Sequence, residues 1–108
     1  MSAFPYRGPE EMLPVIERAL RRVVDPEVAL NIVDVGLVID VKLQGQDLHL
    51  QLTMTSAACP VAEVIIEDCE RELDAVLPAD VHITTELVWE PAWSPERLSE
   101  SARRFMGW

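Results

Sequence analysis

Apolar residues recur along this chain with two periods. Met12, Ile16, Ala19, Leu20 and Val23 lie three or four apart, which places them on one face of a helix. Pro9 suits the opening of that helix, Glu10 and Glu11 its first turn, and Arg18, Arg21 and Arg22 its last, because the helix dipole favours those charges at those ends. Pro14 falls in the first turns, so the regular part starts near it. Asp25-Pro26 ends it, since the residue before a proline avoids helical angles. The period then changes to two. Leu37, Ile39, Val41 and Leu43 share one face of a strand, and Leu48, Leu50, Leu52 and Met54 share one face of the next, with His49, Gln51 and Thr53 opposite. Gln44-Gly45-Gln46-Asp47 between them predicts a hairpin turn.

The helical period returns after Pro60. Ala62, Ile65, Ile66, Cys69, Leu73, Val76 and Leu77 form its inner side, acidic residues with Arg71 form its outer side, and Pro78 stops it. Val81 to Trp89 alternates again as a third strand, so strand, helix and strand in series predict a right-handed parallel crossover. Ser94 suits an N-cap, Pro95 a first helical position and Glu96 a first turn, giving a last helix to about Met106 with Leu98, Ala102, Phe105 and Met106 as its apolar side. Trp89, Trp93 and Trp108 are expected to pack this C-terminal segment onto the sheet. The order α-β-β-α-β-α predicts a two-layer α/β sandwich with a small mixed three-stranded sheet. It reads as a single domain over residues 1–108, with residues 1–8 as a flexible tail. Residues 25–36 are too apolar for a free loop. Val28, Leu30, Ile32 and Val33 must pack, so an ordered connector is expected, in which Asp25, Glu27, Asn31 and Asp34 cap turns and helix ends.

Charge narrows the function. The chain has 108 residues, 49% of them hydrophobic, with 19 acidic against 9 basic side chains and a formal net charge of -10. Phosphate binding needs clustered Lys and Arg, so nucleic acid is excluded as a partner, and an anionic membrane surface with it. No apolar run approaches the roughly 20 residues that span a bilayer. Met1 to Arg7 lacks the apolar core of a signal peptide, which makes the cytoplasm the expected compartment and free thiols the expected state of both cysteines.

The candidate chemistry centres on Cys59, where a strand gives way to a helix through Ser56, Ala57 and Ala58. With Pro60 at the first helical position, Cys59 faces unpaired backbone N–H groups and the positive end of the helix dipole, and both favour the thiolate. A thiol in such a place is either an inert small hydrophobe or a reactive group. The small turn residues, the helix end, and the hydroxyls of Thr53, Thr55 and Ser56 favour the second. Cys69 lies about 15 Å further along the same helix, which rules out a disulfide or a shared metal ion within one chain. It sits on the apolar side and reads as a buried hydrophobe. His49 and His82 read as solvent-facing strand residues, so no cysteine–histidine dyad is formed. No nucleophile elbow, phosphate-binding glycine loop or zinc-protease helix is present.

Four stretches together are similar to one family. Asp25-Pro26-Glu27, Asn31 to Val38, Thr53 to Pro60, and Trp89-Glu90-Pro91-Ala92-Trp93-Ser94 occur in the order and spacing of the SufT-like, PaaD-like metal–sulfur cluster biosynthesis proteins. The resemblance runs from about Glu10 to Trp108. It implies a small α/β domain like other iron–sulfur assembly domains and a role in iron–sulfur protein maturation. It also implies that Cys59 is the functional cysteine, with Asp25, Glu27, Asp34, Thr53 and Thr55 in the same site. The family often carries Thr-Pro-Gly before its cysteine, where this chain has Ser56, Ala57 and Ala58, so the turn is expected to differ. The cysteine-bearing C-terminal extension of the phenylacetate-pathway relatives is missing, which favours the stand-alone assembly factors.

Three functions follow from these residues. The first is a non-enzymatic assembly factor whose Cys59 binds iron or a cluster transiently, or docks to the cluster site of a client. Its partners would be the assembly machinery and client apoproteins, approached through the acidic surface. One thiolate is too few for a stable cluster, so ligands shared across a homodimer or a weakly held metal are expected. The second is a thiol enzyme, which needs a base and an oxyanion site, and no base is evident. The third is an accessory protein of a phenylacetate-type multicomponent oxygenase, in which Cys59 is dispensable.

Overall fold

The hairpin is the centre of the molecule. In the computed structural model, which describes residues 4–26, 29–54, 62–90 and 93–107, β4 (Val38–Gln44) and β5 (Asp47–Leu52) pair antiparallel across Gly45-Gln46. Gly45 takes φ +61° at the first central position of this turn, a conformation open to glycine that follows the twist of the two strands. β6 (His82–Leu87) pairs parallel with β5, and the chain reaches it through α3 (Ala62–Val76), so the expected parallel crossover is present. Pro78 follows the end of α3, as its lack of an N–H dictates.

The sheet has four strands, in the order β1-β4-β5-β6, where three were expected. The additional strand, β1 (Tyr6–Arg7), comes from the stretch read as a tail. It pairs parallel with Val41 and Lys42, using the edge of β4 that the hairpin leaves open. Phe4 before it is 4% exposed and joins the core, and the Tyr6 hydroxyl donates to the Pro9 carbonyl at 2.7 Å. An aromatic ring that finds apolar cover, and an edge that finds hydrogen-bonding partners, are sufficient reason for this ordering.

α1 (Leu13–Leu20) carries Pro14 in its first turn and is preceded by one 3-10 turn over Glu10–Met12, so the regular helix does begin near Pro14. Its apolar stripe, Ile16, Ala19 and Leu20, is buried, and α1 packs against α3 through Ile65, Cys69 and Leu73 in one core with Leu48, Leu50 and Leu52. The alternation of β4 is broken by a register shift between Val38 and Asp40. Leu37 and Val38 are therefore both buried, and Ile39, expected in the core, is only partly covered.

The C-terminal helix also begins elsewhere. Ser94 precedes one 3-10 turn, Pro95–Arg97, and Leu98 returns to extended angles. α4 (Glu100–Met106) starts after Ser99, whose Oγ accepts from the Ala102 N–H at 3.1 Å. Leu98 and Ala102 are buried as expected, whereas Phe105 is 67% exposed. Of the tryptophans, Trp93 is tied in and Trp89 is half exposed. Trp108 lies outside the described residues. No helix among the described residues is long and apolar enough to cross a membrane.

Candidate functional site

The connector after α1 folds into a unit of its own. β2 (Val24–Asp25) and β3 (Leu30–Asn31) pair antiparallel, and Asn31 caps α2 (Ile32–Val35). The Asn31 Oδ1 accepts from the Asp34 N–H at 2.9 Å, and Asn31 Nδ2–H donates back to Asp34 Oδ2 at 2.7 Å. Gly36 ends the turn in the left-handed region at φ +86°. Its N–H donates to Val33 and the Leu37 N–H to Ile32 at 3.0 Å, the paired bonds of a Schellman stop, with Ile32 and Leu37 in the core.

A short helix leaves its last carbonyls without partners. Here the C-terminal segment supplies them. The Ser99 N–H donates to the Asp34 carbonyl, the Trp93 indole N–H to Val35, and the Arg97 Nε–H to Gly36, each at 2.8 Å. Two stretches quoted for the resemblance, around Asp34-Val35-Gly36 and Trp93-Ser94, are thus one clasp.

Asp34 sits inside this clasp. Burial alone would raise its carboxyl, but hydrogen bonds from Asn31, Arg21 and Ser99, with the Arg21 charge, outweigh burial and hold it below the usual carboxylate range. A group lowered in this way stabilises the fold above its unfolded value and loses that contribution as pH falls through the folded one. Wild type is therefore expected to exceed Asp34→Asn by about 1–2 kcal/mol at neutral pH, with the gap closing as pH falls below 4, where unfolded carboxylates also protonate. Urea midpoints between pH 3 and 7 check this.

Asp25 and Thr53 are the fully buried polar or charged residues among those described, each 0% exposed. Asp25 pairs with Leu30 across β2 and β3, and its carbonyl accepts from the Ala29 N–H at 2.8 Å. Thr53 follows β5 and donates its N–H to the Leu37 carbonyl at 2.8 Å, which ties it to the residue after Gly36. Its Oγ1 has no hydrogen-bond partner among the described residues. Asp25 and Asp34 thus belong to one folded unit, and Thr53 is joined to that unit at Leu37. Cys59, Thr55 and Glu27, with the expected N-cap geometry of Cys59, lie outside the described residues. Segment 55–61 follows buried Met54 and precedes the first turn of α3, where Glu63 and Val64 are exposed and Ile65 is buried.

Cys69 is wholly buried on α3. Burial first, and then the charges of Asp68 and Glu70, push its thiol up to about 12. It is a small apolar side chain, as its place on the helix predicts. His49 lies 3.1 Å from Glu86 on the open sheet face, and His82 lies 3.9 Å from Asp47 at the turn end of β5, opposite the Thr53 end. No group of three or more His, Cys, Asp or Glu that could hold a metal occurs among the described residues. The residues that the sequence missed in the clasp are Arg97 and Ser99, with Arg21 beside Asp34. Arg97 carried no signal, and Arg21 read as a dipole partner. The Asn31 to Asp34 spacing, with Gly36 two residues on, was the available cue for a capped single turn.

Helices packed on a small mixed sheet, with buried Asp25 and partly buried Asp34 in one folded unit and buried Thr53 tied to it at Leu37, define a small α/β domain. The family profile for iron–sulfur cluster assembly proteins matches residues 14–85, and the chain belongs to that family. It is 38% identical over 90 residues to the Fe-S protein maturation auxiliary factor YitW of Bacillus subtilis, covering 82% of this chain and 87% of that one. It is 31% identical over 86 residues to the Fe-S protein maturation auxiliary factor SufT of Staphylococcus aureus, covering 79% and 97%. Among solved structures, a domain of unknown function, DUF59, from Bacillus anthracis superposes with TM-score 0.83 at 35% identity, covering 91% of this chain and 93% of that one. The resemblance read from the motifs is the relationship found.

Proposed function

We propose that this chain is a non-enzymatic factor in iron–sulfur protein maturation, with Cys59 as its working thiol. Iron or a cluster is its cargo, held transiently or met at the client's own cluster site. Asp25, Glu27, Asp34, Thr53 and Thr55 support that thiol, and the partners are the assembly machinery and client apoproteins. One observation carries the reading at the level of residues. The two fully buried polar residues of the described chain, Asp25 and Thr53, are both among those the motifs assign to the Cys59 site. Packing alone does not favour Thr53 there, because a buried hydroxyl with no partner among the described residues costs about 1–3 kcal/mol. Family membership and the named relatives support the wider role.

Activation of an apo iron–sulfur client, followed by the client's own activity, tests the proposal. Cys59→Ala is expected to lower activation at least about tenfold, a loss of about 1.4 kcal/mol or more in productive interaction, with an unchanged fold by circular dichroism. Activation equal to wild type overturns it. Anaerobic iron and sulfide reconstitution of the same two proteins, read by absorbance and mass, distinguishes cargo holding from docking. Thr53→Val gives a second readout. Removing a buried hydroxyl that has no partner among the described residues is expected to leave stability unchanged or raise it by about 1 kcal/mol, while client activation falls. A variant that is less stable and equally active assigns Thr53 to packing alone.

A further inference from the structure

The two edges of the sheet are not alike. On one side β4 is closed by β1, a strand of two residues that follows Pro5. On the other side β6 is the outermost strand of the described sheet, six residues long and without proline or lysine. Edge strands are commonly blunted by such residues, because their open N–H and C=O groups pair with other chains.

The register fixes which groups are open. The His82 N–H donates to the Gln46 carbonyl and the Val88 N–H to Leu52, both at 2.7 Å. In a parallel ladder the N–H and C=O of one residue point the same way, and the next residue's point oppositely. The even-numbered residues of β6 therefore bond β5. The N–H and C=O groups of Ile83, Thr85 and Leu87 face outward. Beside this edge runs an open groove of about 390 Å³ lined by Glu70, Arg71, Asp74, Val81 and Ile83. Its floor is apolar, and its α3 wall carries two carboxylates against one guanidinium. Glu70 also accepts from the Thr85 hydroxyl at 3.2 Å, so the acidic wall is tied to the strand itself.

The geometry points to a docking surface here: the open edge of β6 takes an extended, basic segment of a partner polypeptide as a fifth strand. Main-chain bonds to Ile83, Thr85 and Leu87 supply the pairing. Alternate side chains of the incoming strand fall over the groove, where lysine or arginine meets Glu70 and Asp74 and an apolar stem covers Val81 and Ile83. Charge argues against a second copy as the occupant. α3 bears Glu63, Glu67, Asp68, Glu70, Glu72 and Asp74 against Arg71, and two chains joined at β6 would set two such helices side by side. This surface stands apart from the Cys59 reading and holds or fails without it.

Amide hydrogen exchange of the full chain, measured by NMR, tests the surface. The probe is a capped peptide of alternating lysine and valine, compared with the same peptide carrying proline at its central valines. In the free protein the amides of Ile83, Thr85 and Leu87 are expected to exchange fast and those of Thr84 and Glu86 slowly. The lysine–valine peptide is expected to slow the first set, and the proline peptide to leave it unchanged. Glu70→Lys with Asp74→Lys is expected to weaken binding about tenfold, the scale of a few exposed ion pairs. Equal binding of both peptides with unchanged exchange means general charge attraction and overturns the proposal, as does no binding at all. Protection of the same three amides in the free protein, with the mass of two chains, assigns the edge to a second copy and also overturns it.

Discussion

Gly36→Ala is expected to lose about 3 kcal/mol or more of stability, against about 1 kcal/mol for Gly45→Ala. Both glycines have positive φ, +86° and +61°. Any L side chain there costs about 1–2 kcal/mol. The difference is what a new methyl group would meet. At Gly45 nothing lies within 4 Å. At Gly36 a Cβ would run into the backbone carbonyl and Cβ of Arg97, whose guanidinium also donates to the Gly36 carbonyl at 2.8 Å. Backbone cannot swing aside as a side chain can. The clasp must therefore open, and with it the Trp93 bond to Val35 and the Ser99 bond to Asp34. Urea unfolding of the two variants side by side checks this. Equal losses would mean that backbone strain alone governs both positions and that the segment around Arg97 is not fixed against Gly36.

Sequence made β4, β5, β6 and the long helix α3 legible for a simple reason. Each buries one face, and burial imposes a period on residues such as Leu48, Leu50 and Leu52 or Ile65, Cys69 and Leu73. What it hid was held by single hydrogen bonds between distant segments. Arg97 reaches across to Gly36, and Tyr6-Arg7 borrows the edge of β4, without any periodic trace. The late start of α4 is a local competition of the same kind. Ser94 and Ser99 both suit an N-cap, and the structure gives the cap bond to Ser99 because Leu98 turns back into the core. The candidate site divides likewise. Motif spacing brought Asp25, Asp34 and Thr53 to notice, and the fold does join the unit bearing both acids to Thr53 through Leu37. That Asp34 is occupied by Asn31, Arg21 and Ser99 was beyond the reach of spacing.

Leu50→Ala is expected to cost about 3–4 kcal/mol, and Ile39→Ala about 1 kcal/mol or less. Alternation alone gives the two residues the same standing, each at an apolar position of its strand. The register separates them. Leu50 lies in β5, between β4 and β6, opposite Val41 on one side and Thr85 on the other, and is 0% exposed. Removing its side chain leaves a cavity closed in by neighbours that cannot collapse into it. Ile39 stands at the register shift of β4, where the extra residue rotates the strand and hands its inward place to Val38. Its side chain is partly in water, so truncation removes less contact and leaves an opening that solvent fills. A domain of this size has about 5–15 kcal/mol of stability in all. Leu50→Ala therefore lowers the melting temperature by more than 10 °C, on the scale of roughly 4–8 °C per kcal/mol, while Ile39→Ala moves it by a few degrees. Thermal melts of both variants decide the matter, and equal shifts would mean that β4 runs without the shift and that Ile39 points into the core.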